Sequence, residues 1–155
     1  MSQDRLYQDQ LLALARLARE HPMLDHPTHR AEMLNPSCGD KVTVSLTIDG
    51  RLVKAMAVKV RGCAICEASA GLIHHFADTH PAGMNSAAFK QMIADIPEWF
   101  ADPDNHHLPH TACAPLMPVK LSYRNRIRCA TLPFEAYTLA YHSPIQSCPD
   151  LSSKT

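Results

Sequence analysis

Nowhere in this 155-residue sequence does an apolar run reach the roughly 20 residues needed to cross a bilayer, which excludes a membrane-spanning helix from the reading. Surplus charge of either sign is also missing. Fifteen Lys and Arg balance fifteen Asp and Glu, so no basic field points to nucleic acid. The stretch "LLALARLARE" is too charged for a secretory leader, and Asp4 and Asp9 argue against an acid-poor transit peptide. There is no internal repeat. These absences leave the expectation of a cytoplasmic protein with no membrane or nucleic-acid partner. The length suits one domain, expected over residues 1–142 with a tail over 143–155.

The patterns that are present predict a small α+β domain. Apolar residues Tyr7, Leu11, Leu14 and Ala18 recur at helical spacing over residues 3–20, and Pro22 marks the stop. A short edge strand is expected near 28–33. "KVTVSLTI" alternates strictly, "DG" at 49–50 is a two-residue hairpin turn, and "RLVKAMAVKVR" returns with Leu52, Met56, Val58 and Val60 apolar. One face of this hairpin needs a cover, most simply helices. Helical periodicity resumes from Ala64 to Thr79 and again from Ser86 to Ile96, where Pro97 is expected to end it. Residues 101–119 read as a long Pro- and His-rich loop. A last helix is expected with Thr131 as N-cap, Pro133 in its first turn, and Phe134, Tyr137 and Tyr141 as its apolar stripe.

Six cysteines stand on this map, at 38, 63, 66, 113, 129 and 148. In a cytosolic chain of this size they are expected to be reduced, as core residues, metal ligands or nucleophiles. Cys38, Cys63 and Cys129 fall at element ends rather than within apolar stripes, so they are placed to converge at one end of a sheet. Cys63 and Cys129 are expected beside helix N-termini, whose partial positive charge lowers a thiol pKa, with Arg126 and Arg128 adding charge near Cys129. Gly39 frees the backbone beside Cys38, and Asp40 lies two residues on, which in extended chain puts it on the same side. Three thiolates and a carboxylate suit tetrahedral zinc; with one weakly held oxygen they also suit an iron–sulfur cluster that must be given away. The spacing matches no zinc finger, zinc ribbon or ferredoxin run.

Taken in order, "NPSCGD", "GCAICEAS" and "RIRCATL" resemble the motifs of the U-type iron–sulfur cluster assembly proteins, SufU, IscU and the N-terminal domain of NifU. The resemblance implies an antiparallel sheet of about three strands with helices packed on one face. It implies that Cys38, Asp40, Cys63 and Cys129 bind zinc or a transient cluster (2Fe-2S or 4Fe-4S). Cys129 would accept persulfide sulfur from a cysteine desulfurase (SufS-like), with Arg126 in support, for delivery to apo iron–sulfur proteins or other assembly factors. Arg128 stands where IscU-like chains carry histidine, and the segment before Cys129 is long. Both features resemble SufU. A structural zinc module without sulfur transfer is the alternative, and a Cys63/Cys66 thiol-redox enzyme lacks its βαβ context.

The remaining candidates have plainer readings. Cys66, on the helical face of Cys63, is either a fourth ligand in a C-x-x-C arrangement or a small buried residue, and burial is expected. His106, His107, His110 and Cys113 look like a metal tract but are expected to be a solvated loop. "LMPVK" at 116–120 is similar to the chaperone-recognition segment of IscU-like proteins, yet stands too far from Cys129. His74 and His75 are expected half-exposed, and Cys148 a free thiol in the tail.

Overall fold

The structure, a computed structural model, describes residues 3–80, 83–122 and 124–145. Helix α1 (Gln3–Glu20) precedes three strands, β1 (His29–Asn35), β2 (Asp40–Asp49) and β3 (Leu52–Arg61). Then come α2 (Ala64–Thr79), α3 (Ala87–Ala101), the short α4 (Met117–Ser122) and α5 (Ile127–Tyr141). The strands form one antiparallel sheet in the order β1-β2-β3. This is the α+β architecture expected from the sequence.

Alternation in β2 turns Val42, Val44 and Leu46 inward, each fully buried, on the side where β2 meets α5 and β3 meets α2. Burying each such side chain stabilises the fold by about 1.5–3 kcal/mol. In β3 the alternation is broken. Ile48 pairs with Val53 where Thr47 pairs with Ala55, so one extra residue enters β3. That bulge turns Val53 inward and leaves Leu52 half exposed, against the expected pattern. On the far side of α2 lies α1. A Cβ at Gly71 would stand 1.8 Å from the Leu14 carbonyl oxygen, so the two helix backbones touch through a residue that must lack a side chain. Of the expected α1 stripe only Ala18 is fully buried, with Leu11 and Leu14 partly buried, and Ala15, outside that stripe, is buried too.

Several boundaries differ from expectation. Pro97 does not end α3, which continues to Ala101. Pro97 withholds the N–H that the Ile93 carbonyl would accept, at a cost of about 3 kcal/mol. Burial of Trp99 and Phe100 one turn further on offsets it. Likewise α5 starts at Ile127 rather than after Thr131, so Thr131 is a buried helical residue and Pro133 lies in the interior. The Pro- and His-rich stretch holds a 3-10 turn (Thr111–Leu116) and α4. Within it, "LMPVK" is part of the core: Leu116, Val119 and Lys120 are buried. The Lys120 ammonium donates to the Trp99 and Asp102 carbonyls at the end of α3 and lies 5.1 Å from the centre of the Trp99 ring. Burial, first of all, lowers its pKa.

His74 is also not half-exposed. It is fully buried, its Nε2 accepts the Val58 N–H at 3.2 Å, and its ring stacks on His21 at 3.7 Å. Burial, then the neighbouring His21, pushes its pKa down to about 3, so the ring is neutral. His75 points outward. After α5, residues 143–145 run beside β1, where the Arg30 N–H donates to Ser143 and the Ile145 N–H to Thr28. The rest of the expected tail, Cys148 included, lies outside the described residues.

Candidate metal and sulfur site

Three chain segments meet at one end of the sheet. The first is the β1–β2 turn, residues 36–39, closed where Asn35 pairs with Asp40. The Asn35 carbonyl accepts the N–H groups of Cys38 (3.2 Å) and Gly39 (2.8 Å), and Gly39 takes φ +73°, a left-handed conformation open to glycine at little cost. So Cys38 and Asp40 are brought together by a tight turn, not by the extended chain expected from their spacing. The second segment is the junction of β3 with α2, where Gly62 faces Asp40 and Cys63 is the N-cap of α2. The third is the first turn of α5, which carries Cys129 as its third residue.

One ligand atom each from Cys38, Asp40 and Cys129 lies within 4.8 Å of the others, and no other such trio occurs among the described residues. Cys63 stands at the edge of this group: its Sγ is 3.9 Å from Asp40 Oδ2, and its backbone N–H donates to Asp40 Oδ1 at 2.9 Å. Asp40 and Cys129 are fully buried, whereas Cys38 and Cys63 are partly exposed, so the group reaches solvent through Cys38 and Cys63. All five described cysteines are free thiols.

The electrostatics follow from crowding like groups. At Cys129 the expected lowering by the helix N-terminus is reversed. Burial raises its pKa, and hydrogen bonding with Asp40 and Cys38, then the Cys63 charge, raises it further. Several acidic donors turned inward with little to neutralise them is the donor chemistry that a cation satisfies. Bonds of about 2.3 Å from sulfur to zinc span at most about 4.6 Å between two sulfurs. The ligand atoms of Cys38, Asp40 and Cys129, within 4.8 Å of one another, stand close to that span, so the donor set fits the ion. Opposite them, Arg126 Nη1 lies 3.9 Å from Cys38 Sγ, and hydrogen bonding with Cys129, then the charges of Cys63 and Cys38, raise the guanidinium pKa. Arg128, expected to help, is instead paired with Glu135.

The other candidates fall outside the pocket's donor group. Cys66 is buried in α2, where desolvation, and then the Asp40 and Cys63 charges, push its thiol pKa up. Cys113 is buried in the core with its thiol pushed up to about 12 by burial. His110 Nδ1 accepts the Ala112 N–H as a cap, and His106 and His107 are exposed. Two residues near the thiols do not stand out in the sequence. Gly62, itself exposed, lies against Asp40: a Cβ there would stand 2.1 Å from Oδ1. Asn35, 4 % exposed, places Nδ2 3.6 Å from Cys129 Sγ. Both lie inside the quoted motifs, but only the folded chain shows what they touch.

Fold and pocket together define the class: a three-stranded α+β domain with cysteines and an aspartate gathered at one sheet end. Among solved structures, the N-terminal NifU-like protein from Brucella abortus superposes with a TM-score of 0.71 at 21% identity, covering 90% of this chain and 94% of that one. A candidate iron–sulfur cluster assembly scaffold of the SUF system from the thermophile Fervidobacterium islandicum AW-1 gives 0.70 at 20% identity, over 90% and 99%. No family model and no curated protein matches the sequence. The chain therefore has the NifU-like and SufU-like fold that its motifs led one to expect.

Proposed function

We propose that this protein is an iron–sulfur cluster assembly protein of the SufU-like kind, working with a cysteine desulfurase. The observation that carries this reading is the meeting of Cys38, Asp40 and Cys129 within 4.8 Å, with Cys63 beside Asp40, on the scaffold fold. In the sulfur-transfer step, the Cys129 thiolate attacks the terminal sulfur of the desulfurase persulfide. A new S–S bond forms on Cys129 as the desulfurase cysteine leaves as thiolate, and no outside oxidant is needed. Arg126 is placed to balance the charge on the incoming sulfur. Iron and sulfide are the cargo, and Asp40 is the hard, exchangeable ligand that permits release.

The same four residues would hold zinc, which when bound keeps the sulfurs together as thiolates and restrains Cys129 until a partner displaces a ligand. The partly exposed Cys38 and Cys63 favour this open arrangement over a closed structural zinc module.

The test is metal analysis of fresh protein beside a desulfurase assay. Cys38→Ala, Cys63→Ala and Cys129→Ala are each expected to lose metal, while Cys66→Ala and Cys113→Ala retain it. Mass spectrometry after incubation with desulfurase and cysteine should find the persulfide on the Cys129 peptide. Metal retained by all three variants, with no sulfur on Cys129, would defeat the reading.

A further inference from the structure

Asn35 touches both walls of the pocket. Its backbone carbonyl holds the turn that carries Cys38, accepting at 3.2 Å from Cys38 and 2.8 Å from Gly39. Its side-chain Nδ2 reaches 3.6 Å to the sulfur of Cys129, 94 residues away in sequence. An amide nitrogen only donates, so the sulfur is the acceptor. The residue is 4 % exposed, and a buried amide is costly unless its hydrogen-bonding capacity is used. The turn needs only the backbone carbonyl, which any residue supplies. The amide is therefore explained by what it meets, the sulfur of Cys129.

The direction of approach matters too. Asp40, Cys38 and Cys63 surround Cys129 with groups that oppose negative charge on its sulfur. Two donors face the other way: Arg126, and Asn35 from the buried side. The guanidinium sits on a long, flexible stem, whereas Asn35 is anchored at a strand end by pairing with Asp40. Of the two, only the amide is fixed relative to the ligand it serves.

We infer that Asn35 is a positioning residue for Cys129, its N–H aiming the sulfur at Cys38 and Asp40 and stabilising it as a ligand. The inference rests on the reading of the pocket as a metal and sulfur site. Hydrogen-bond partners of metal ligands typically change affinity by about 10- to 100-fold when removed. The test uses the full chain, loaded with zinc or cobalt alone, and Asn35→Leu, which matches the side chain in size but not in N–H.

Competition against a chromophoric chelator is expected to show zinc held about 10- to 100-fold more weakly in the variant. The sulfur-to-cobalt charge-transfer band should move to lower energy, because a sulfur that loses a hydrogen bond holds its lone pairs less tightly. A residue that merely shaped the turn would leave that band in place. Should Asn35→Leu fail to fold, Asn35→Ala takes over both readouts: it keeps the backbone carbonyl that holds the turn and removes the N–H without adding a charge or a ligand. Wild-type protein that binds neither metal overturns the pocket reading and this inference with it. Wild-type binding, with a variant that binds within about two-fold and an unmoved band, overturns the role of Asn35 alone.

Discussion

Gly62→Ala isolates the contact between Gly62 and Asp40. Gly62 is not among the glycines with positive φ, so alanine suits its backbone. What alanine meets is Asp40: its Cβ would lie 2.1 Å from Oδ1, 2.9 Å from Cγ and 3.0 Å from the Asp40 backbone. The carboxylate has to swing away, taking with it the 2.9 Å bond from the Cys63 N–H. A backbone N–H bond to a carboxylate contributes about 1.5–3 kcal/mol. Alanine restores about 0.4–1 kcal/mol by narrowing the unfolded ensemble. The net expectation is a loss of roughly 1.5 kcal/mol, or about 3–6 °C in Tm for a chain of this length. Urea unfolding with chelator present measures it without metal. In an Asp40→Ala background the clashes with Oδ1 and Cγ are gone while the 3.0 Å approach to the backbone of residue 40 remains, so the same substitution should cost clearly less than it does beside Asp40. Equal losses in the two backgrounds would refute the claim that Gly62 acts through the Asp40 carboxylate.

Two further outcomes follow from buried groups away from the pocket. Lys120→Met should destabilise by about 1–3 kcal/mol in urea, because the Trp99 and Asp102 carbonyls lose their ammonium donor; an unchanged midpoint would make that interaction idle. His74 has a folded pKa of about 3, below its unfolded value near 6.5, so below pH 6.5 the unfolded chain binds a proton that the fold refuses. Stability is therefore full above pH 6.5 and should fall by roughly 1 kcal/mol per pH unit from about pH 6 toward 4. His74→Gln, which removes this titration, should flatten that slope in unfolding measured across the range; an equally steep profile would assign the loss to other groups.

The elements that the sequence shows most clearly are those whose burial is decided locally. Strict alternation from Val42 to Ile48, the Asp49–Gly50 turn and the helical period after Ala64 each repeat the same choice over several residues, and β2, β3 and α2 follow. The starts and stops that differ from expectation depend on distant partners. Pro97 reads as a stop until Trp99 and Phe100 are seen to be buried beyond it. Thr131 reads as a cap until the helix is seen to begin at Ile127. His74 reads as half-exposed because nothing near it in sequence reveals the stacked His21 or the Val58 N–H.

The candidate site divides in the same way. Cys38, Cys63 and Cys129 stand out because each sits where a local pattern ends, but what gathers the first two is pairing register. Lys41 opposite Arg61 in β2–β3, and Asn35 opposite Asp40 in β1–β2, put the Cys38 turn and the Gly62–Cys63 junction at the same sheet end. Side chains in a strand alternate faces, so a one-residue slip in β2 would turn Lys41 toward the thiols and Asp40 to the outer face. It would also expose Val42, Val44 and Leu46, at about 1.5–3 kcal/mol each. The apolar alternation that fixes the core therefore fixes the carboxylate among the sulfurs. The residues that only such register-dependent packing reveals, Gly62 against Asp40 and Asn35 against Cys129, are the ones that reading along the chain passes over.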